Sequence, residues 1–278
     1  MNEFDSRTEN QNREGKIQLR DFSSITVVTI RRPAAHNAMT SKMWLELKNM
    51  SQRIAANPIT KVVLLRGAFE YFTAGSDLKE FSRMPIEEVD ETFALMEQAI
   101  ASFESLPIPT IACLKGAAMG AGLELALACD LRVAAENARL GMPIARLGIT
   151  IGIPFARRLV DLIGPSRAKD LLFTGKHLSA QEAQNIGMVN YVTSLRKVES
   201  FALRLAKTIA YNSQASVRTA KEAVSLCIPQ RDVPWRTHIE PYWVDSRDFG
   251  EGVNAFIEKR VPNFRRLKRS NRKSEANT

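Results

Sequence analysis

Short apolar runs alternate with helical patterns along the first two thirds of the chain. Residues 25–30 alternate and are β-branched, which predicts a strand, and apolar runs at 61–66, from 110 and at 131–135 predict three more. Thr40 can cap a helix that carries Met43, Leu47, Met50 and Ile54 on one face, and a longer helical stretch covers about 86–106. This alternation of strands and helices predicts an α/β fold.

The last third of the chain shows a different pattern. Ser179 and Glu182 form a predicted capping box for a short helix that ends at Gly187. From about residue 195 onward, helical periods follow one another at roughly 196–211, 214–226 and 245–259, and a layer with Trp235, Tyr242 and Trp243 is expected to cover a partner subunit. The predicted organisation is a disordered tail (1–15), a catalytic domain (16–195), a helical oligomerisation region (196–264) and a basic tail (265–278).

Composition narrows the class of protein. The 278 residues are 45% hydrophobic and 25% charged, which suits one large globular domain. No apolar run reaches the roughly 18 residues of a membrane span, and the polar start lacks a signal-peptide pattern, so a cytoplasmic location is expected. Cys113, Cys129 and Cys227 lie in apolar surroundings without zinc-type spacing, which predicts buried thiols.

Two small-residue loops, each after an apolar strand, carry the clearest chemical signal. The first is Phe-Thr-Ala-Gly-Ser-Asp-Leu at 72–78, and the second is Gly-Ala-Ala-Met-Gly-Ala-Gly-Leu-Glu-Leu at 116–125. Small residues let the backbone approach a ligand, so its N–H groups can bind a developing oxyanion. Glu124 is surrounded by Leu and Ala at the start of a helix. A buried carboxylate there would have a raised pKa and suit proton transfer.

Four segments in order resemble one family. Arg-Pro-Ala-Ala-His-Asn-Ala at 32–38, the loops at 72–77 and 116–130, and Glu-Gly-Val-Asn-Ala-Phe-Ile-Glu-Lys-Arg at 251–260 resemble motifs of the enoyl-CoA hydratase/isomerase (crotonase) superfamily. The resemblance covers roughly residues 17–264. It implies a spiral of ββα units with a C-terminal helical region, assembled as trimers or as a dimer of trimers.

The resemblance also implies a reaction and a site. The substrate would be an acyl-CoA thioester whose enolate-like oxygen is held by the N–H groups of Ser76 and Ala121, while Glu124 transfers a proton. No metal and no separate cofactor are implied, because coenzyme A is part of the substrate. The implied substrate-binding residues are Ala34, His36, Ala74, Ser76, Asp77, Leu78, Ala118, Gly120, Ala121, Pro143, Ile144, Phe256 and Lys259.

Two departures from the family pattern bear on the reaction. Hydratases of the family carry a second glutamate at the position of Ile144, and the stretch 149–157 has Pro154 and Phe155 where small residues are usual. Water addition is therefore in doubt, while enolate stabilisation is intact. Hydratase-type chemistry is placed slightly first because Glu124 is retained. Isomerase, decarboxylase and thioester hydrolase activities are the alternatives.

Two other classes of protein also fit parts of the sequence. Gly116, Gly120 and Gly122 also fit a dehydrogenase glycine pattern, but they lie mid-chain and no tyrosine has a lysine four residues later. The net charge of +9 and the basic segment 265–273 would suit a nucleic-acid-binding protein on an inactive scaffold, which is a remote alternative. Neither a membrane nor a nucleic acid is expected as the main partner.

Overall fold

The computed structural model of the protein describes residues 14–227, 243–245 and 248–264. Nine strands lie in this part of the chain: β1 (Lys16–Phe22), β2 (Ile25–Arg31), β3 (Val62–Gly67), β4 (Thr110–Leu114), β5 (Ala117–Met119), β6 (Leu131–Ala135), β7 (Arg139–Gly141), β8 (His177–Ser179) and β9 (Tyr191–Thr193). The same part holds nine helices: α1 (Ser41–Ala55), α2 (Leu78–Phe81), α3 (Ile86–Glu104), α4 (Ala121–Leu127), α5 (Ile153–Thr174), α6 (Ala180–Asn185), α7 (Val198–Tyr211), α8 (Gln214–Cys227) and α9 (Asp248–Ile257). Two single turns of 3₁₀ helix cover Pro33–Ala35 and Ile144–Arg146.

The strands form two sheets. The larger sheet has the order β1-β2-β3-β4-β6-β9, with β1 antiparallel to β2 and every later pair parallel. The smaller sheet has the order β5-β7-β8. Because β4 and β6 lie in the large sheet while β5 and β7, which follow them, lie in the small one, the chain advances as a spiral of ββα units. The predicted α/β class and the spiral are confirmed.

Local signals located most of the elements correctly. Thr40 caps α1 through its side chain, and Ser179 and Glu182 form the predicted capping box at α6. The sequence did not predict the long helix α5 or the strand β1, which pairs with β2 as a hairpin, and it also missed the short elements β5, β7, β8, β9 and α2. Helix α5 starts after Gly152 with a proline in its first turn, and Gly164 (φ 76°) with Pro165 breaks it into two parts.

The two faces of the large sheet cover separate apolar cores. One face packs with α1, α3, α4 and α5 around the largest buried side chains, including Trp44, Phe72 and Phe103. The other face packs against four α7 residues at helical spacing, Val198, Ala202, Ala206 and Ala210. Helix α7 therefore completes the body of its own chain, although the sequence placed it in an oligomerisation region.

Helix α8 contrasts with α7, because none of its residues is buried. Its last residue is Cys227, which is exposed, so the prediction of a buried thiol there is wrong. Cys113 and Cys129 are buried as predicted, and burial raises the pKa of each thiol to about 12. Within the described residues, no helix combines the length and apolarity needed to cross a bilayer.

Several sequence expectations fall outside the described residues. These are the first 13 residues of the predicted N-terminal tail, Trp235 and Tyr242 of the aromatic layer, and the basic tail at 265–278.

Candidate active site

The two small-residue loops are joined by backbone pairing. Thr73 forms a β-bridge with Ala118 of β5, with N–H to O=C distances of 3.0 Å (Thr73 to Ala117) and 3.2 Å (Met119 to Thr73). A Cβ added to Gly75 (φ +97°) would lie 2.7 Å from the Met119 carbonyl oxygen and 3.5 Å from the Ala121 nitrogen. Only glycine lets the loops approach so closely, since real Cβ atoms do not come that near a carbonyl oxygen.

The two expected donors, Ser76 and Ala121, lie in these two loops and line the same cavity. Ala121 is the first residue of α4, so its N–H has no partner within the helix. Neither the Ser76 N–H nor the Ala121 N–H donates to a backbone carbonyl of the described residues. The Ser76 hydroxyl accepts a hydrogen bond from Trp44 Nε1 (3.2 Å) and donates to Met96 Sδ (3.5 Å), which ties it to the core.

A turn at residues 32–39 braces the first loop from outside. Asn37, buried with φ 59°, donates through Nδ2 to the carbonyls of Ala68 and Tyr71, both at 2.8 Å. Arg32 pairs with Asp77 (2.7 Å), and Asp77 also caps α2 by accepting from Lys79 N–H. Asp77 therefore braces the turn that follows the first loop. Asn37 is therefore a positioning residue. It belongs to the motif at 32–38, but the sequence alone did not indicate this role.

The loops open into one cavity of about 810 Å³. Twelve of the residues predicted for the site line it: Ala34, His36, Ala74, Ser76, Asp77, Leu78, Gly120, Ala121, Glu124, Pro143, Ile144 and Phe256. Two predicted residues do not. Ala118 is buried in β5, where it carries the second loop, and Lys259 is exposed just beyond α9. The neighbouring Arg260 lines the cavity instead, with its guanidinium bound to Glu251.

The lining is chemically divided. Arg32, Lys79, Arg146, His177 and Arg260 supply basic side chains. Aromatic and aliphatic side chains line another part, and sequence reasoning did not assign them to the site: Phe81, Phe93, Met96, Leu147, Ile149, Ile151 and Trp243. Phe93 and Trp243 stack with their ring centroids 6.4 Å apart. Such a cavity can hold a ligand with both an anionic and an apolar part.

Glu124 belongs to a buried cluster of charges. Arg158 of α5 donates from Nη1 to Glu124 Oε1 at 3.0 Å. The same guanidinium binds Glu97 of α3 through both Nη atoms (2.8 and 3.2 Å) and Glu104 through Nε and Nη2 (2.8 to 3.1 Å). Glu124 alone of these four residues lines the cavity. One arginine therefore serves three carboxylates, of which only Glu104 is substantially exposed.

This environment raises the pKa of Glu124 well above its usual value. Burial is the largest cause, followed by the hydrogen bond to Glu97 and the negative charge of Glu97; Arg158 opposes these effects and Glu104 adds to them. The raised pKa expected from the sequence is confirmed in direction. Glu97 is a second buried carboxylate on the same arginine, and the sequence did not assign it to the site.

Ile144 lines the cavity. It lies in the 3₁₀ turn Ile144–Arg146, and Phe155 of α5 also faces the cavity. The acidic side chains in the lining are Glu124 and Asp77, and Asp77 is bound to Arg32. Among the described residues no three His, Cys, Asp or Glu side chains form a group that could hold a metal ion.

Solved structures of other proteins share this architecture. An enoyl-CoA hydratase from Bacillus anthracis superimposes with a TM-score of 0.74 at 36% identity, covering 89% of this chain and 98% of that one. A spiral of ββα units that brings two loops together over one cavity, followed by C-terminal helices, defines the crotonase fold. The molecule is therefore a crotonase-fold protein with an enzyme-type site.

Sequence comparisons identify the family. The profile of the family described as enoyl-CoA hydratase/isomerase matches residues 20–267. A crotonyl-CoA hydratase of Syntrophomonas wolfei is 34% identical over 253 residues, covering 89% of this chain and 97% of that protein. A short-chain-enoyl-CoA hydratase of Clostridium acetobutylicum is 34% identical over 248 residues, covering 88% and 95%. The chain belongs to the enoyl-CoA hydratase/isomerase family and is an enzyme of that family, with hydratase activity favoured.

Proposed function

We propose that the protein acts on an enoyl-CoA thioester, which the Ser76 and Ala121 N–H groups bind at the thioester oxygen while Glu124 exchanges a proton with the α-carbon. One observation carries this proposal: two backbone N–H groups without backbone acceptors and one buried carboxyl meet in a single cavity. Two such donors stabilise an enolate oxygen more than the ground-state carbonyl, and each contributes about 2.7–4 kcal/mol in other enzymes.

The first candidate reaction is hydration. Water adds through its oxygen to the β-carbon, the C=C electron pair moves toward the thioester, and the oxyanion receives the charge. The enolate then takes the proton of Glu124 at the α-carbon, and the Glu124 carboxylate accepts the proton lost by the added water. Atoms balance with one carboxyl group acting as both acid and base. The names of the hydratase relatives support this order of preference.

The second candidate is double-bond isomerisation, and Ile144 is the observation that favours it. An isoleucine offers no donor or acceptor to orient water. Glu124 in its carboxylate form would remove a proton from the α-carbon of a 3-enoyl thioester and return it to the γ-carbon. Decarboxylation and thioester hydrolysis use the same oxyanion site, but no contact in the structure favours either of them.

The coenzyme A part of the ligand is proposed to lie toward the basic side chains. Four basic side chains line the same cavity as the two loops: Arg32, Lys79, Arg146 and Arg260. Such cations can bind the phosphate groups of coenzyme A. His36 packs against Tyr71 with the ring centroids 4.3 Å apart and the planes tilted by 33°, and it lines the cavity together with Ala34 and Ala74. The role predicted for Lys259 remains a proposal, as do the absence of a separate cofactor and the cytoplasmic location.

A product-resolved assay tests the function. The purified protein is incubated in D₂O with 2-enoyl and 3-enoyl thioesters of increasing chain length, and the products are identified by mass spectrometry and NMR. Hydration gives a 3-hydroxyacyl thioester with deuterium at the α-carbon, whereas isomerisation moves the double bond. The proposal fails if no thioester in the panel exchanges, hydrates or isomerises.

A matched pair of variants tests the oxyanion assignment. Gly75→Ala forces the loops apart, because its Cβ would lie 2.7 Å from the Met119 carbonyl oxygen, and should lower turnover by at least ~10²-fold. Ser76→Ala keeps the backbone N–H and removes only the hydroxyl, so it should lose far less. Equal losses in the two variants, with both proteins folded, would move the function from the backbone to the Ser76 hydroxyl.

Ile144 provides a second matched pair. Ile144→Glu should raise hydration relative to isomerisation, because a carboxylate can orient water and accept its proton. Ile144→Gln has almost the same shape without a basic group, so it should not raise hydration. Wild-type hydration as fast as the ~10³ s⁻¹ upper end of ordinary enzymes would show that Ile144 does not limit water addition.

We also propose that the protein assembles as a homotrimer or a dimer of trimers. The exposed helix α8, with Val224 and Leu226 at its surface, supplies an apolar face that such an interface could cover. Mass measurement in solution by light scattering tests this directly. A monomer at micromolar concentration would refute it.

A further inference from the structure

A second buried carboxylate lies behind the candidate proton donor, outside the cavity. Glu97 is fully buried on α3, one residue after Met96, which does line the cavity. Its two oxygens accept from both Nη atoms of Arg158, while Glu124 accepts from Nη1 only. Glu97 and Glu124 therefore meet on one nitrogen, Arg158 Nη1, at 3.2 and 3.0 Å. Glu97 shares this contact with the reacting group without being able to contact a ligand.

Two buried carboxyl groups on one guanidinium nitrogen repel each other when both are ionised. Carboxylates only accept hydrogen bonds, so neither can offset this repulsion by donating to the other unless one of them is protonated. The charge count agrees with this, because two buried carboxylates share one guanidinium that also binds Glu104. The charged groups that face Glu124 among the described residues are Glu97 and Glu104 from α3 and Arg158 from α5.

The geometry also indicates which carboxyl holds the proton. Arg158 places two N–H donors on the two oxygens of Glu97, at 2.8 and 3.2 Å, which is the fork that matches an ionised carboxylate. Glu124 receives one of these donors, on Oε1. Its other oxygen can carry the proton.

We propose that Glu97 is a positioning residue that shares one proton with Glu124, so that Glu124 meets the bound thioester as a protonated acid. This inference rests on the proposed function and deepens it. In hydration, the O–H bond of Glu124 breaks as the C–H bond at the α-carbon forms. Two carboxylates then face one arginine, and this repulsion draws the proton of the added water onto Glu124, which restores the starting state.

An ion cluster with a purely structural role would be expected to balance its charges. Three buried or half-buried carboxylates around one cation leave negative charge uncompensated, which costs stability. A glutamine at 97 could make neutral hydrogen bonds to the same neighbours, but it could not keep a proton on Glu124. The cluster is therefore better matched to holding a proton than to holding helices together.

The first experiment compares pH profiles of turnover. Glu97→Gln removes the neighbouring charge, so the limb on which activity falls with rising pH should move at least ~1 pH unit toward acid. Glu97→Asp retains a carboxylate and should restore most of the wild-type position. Glu104→Gln, on the same helix and bound to the same arginine, should move the limb by only a few tenths of a unit because Glu104 is half exposed. An unmoved limb in Glu97→Gln overturns the proposal.

The second experiment needs neither activity nor a folded Glu97 variant. The infrared spectrum of wild-type protein minus that of Glu124→Gln is recorded near pH 7, where exposed carboxyl groups are ionised. The difference should contain the C=O stretch of one protonated carboxyl group. Its absence overturns the shared proton even if the enzyme is active. Its presence in a protein that transforms no thioester would instead refute the proposed function and leave the carboxyl pair standing.

Discussion

Two charge clusters lie on opposite sides of the large sheet and have opposite balances. Behind the cavity, one arginine (Arg158) serves three carboxylates. On the α7 side, two cations, Lys115 and Arg66, serve the single carboxylate Glu199. The difference teaches that burial and the ratio of charges together decide how a carboxyl in an ion pair behaves, since Glu124 is buried while Glu199 is 40% exposed.

The pKa values follow the two ratios. For Glu199, burial would raise the pKa, but the hydrogen bond and charge of Lys115, together with the charge of Arg66, outweigh it and lower the pKa. For Glu124, burial and Glu97 outweigh Arg158 and raise the pKa. Arg158 has a raised pKa, because hydrogen bonds to Glu104 and Glu97 reverse the lowering effect of its burial. The Glu199 cluster therefore favours the ionised carboxylate, whereas the Glu124 cluster favours the protonated carboxyl group.

The largest expected effect comes from removing the shared cation. Arg158→Gln leaves Glu97 and Glu124 buried without a counter-charge and should lower the free energy of unfolding by about 3–5 kcal/mol. The corresponding change in the other cluster, Arg66→Gln, should cost about 1 kcal/mol or less, because that pair is partly exposed and Lys115 remains. Urea unfolding measures both. Equal losses in the free energy of unfolding would mean that the two cations contribute equally to stability, contrary to the prediction.

The next effect concerns turnover. Glu124→Gln should lower kcat by at least ~10²-fold with little change in thioester binding, because it removes the transferred proton and keeps the shape. Glu199→Gln is the matched control in the other cluster and should leave kcat within about twofold, since α7 lies on the far face of the sheet. Near-normal turnover of Glu124→Gln on the true substrate would remove Glu124 from the mechanism.

The raised pKa of Glu124 has a consequence for stability. Between the unfolded value of about 4.3 and the higher folded value, the folded protein binds more protons than the unfolded chain. The free energy of unfolding should therefore fall as pH rises through this window, by at most ~1.4 kcal/mol per pH unit for one group. Glu124→Gln should flatten this slope. Unfolding curves at fixed protein concentration across the window provide the measurement, and an unchanged slope would contradict the assignment.

The smallest effect is the mirror image at Glu199. Its lowered pKa means that its contribution is fully present above the unfolded value of about 4.3 and is lost as pH falls through the folded value below that. Glu199→Gln should therefore lower stability at neutral pH by about 1 kcal/mol or less, and the difference from wild type should vanish in acid. A difference that grows in acid would refute the assigned sign.

Sequence patterns predicted the parts of the fold that depend on neighbours in the chain. The strands β2, β3, β4 and β6, the cap at Thr40 and the capping box at Ser179 depend on local signals, and the structure contains them. Helix α5 was missed because Gly164 and Pro165 interrupt its helical pattern, although Gly152 followed by an early proline was a usable signal. Strand β1 was missed because half its residues are polar and it is stabilised by pairing with β2.

The candidate site divides in the same way. The two loops and Glu124 are short motifs, so the sequence located them. Glu97 and Arg158 are 61 residues apart in the chain, and only the packing of α3 against α4 and α5 brings them to Glu124. A sequence signal did exist, since Glu97 interrupts an apolar stripe formed by Phe93, Met96 and Ile100. Its partners could not be read without the tertiary contacts.

The close approach of the two loops at Gly75 also sets what evolution and engineering can change. The proposed oxyanion donors belong to the main chain and are present with any residue except proline at 76 or 121, so other substitutions there change the shape of the pocket before they change the proposed contact. The fragile information is held instead by Gly75 and Gly122, where an added methyl group would lie 2.7 and 2.5 Å from the facing loop. New reactions are therefore best sought by varying Ile144 and its neighbours with both glycines held constant, because the catalytic core is then inherited unchanged.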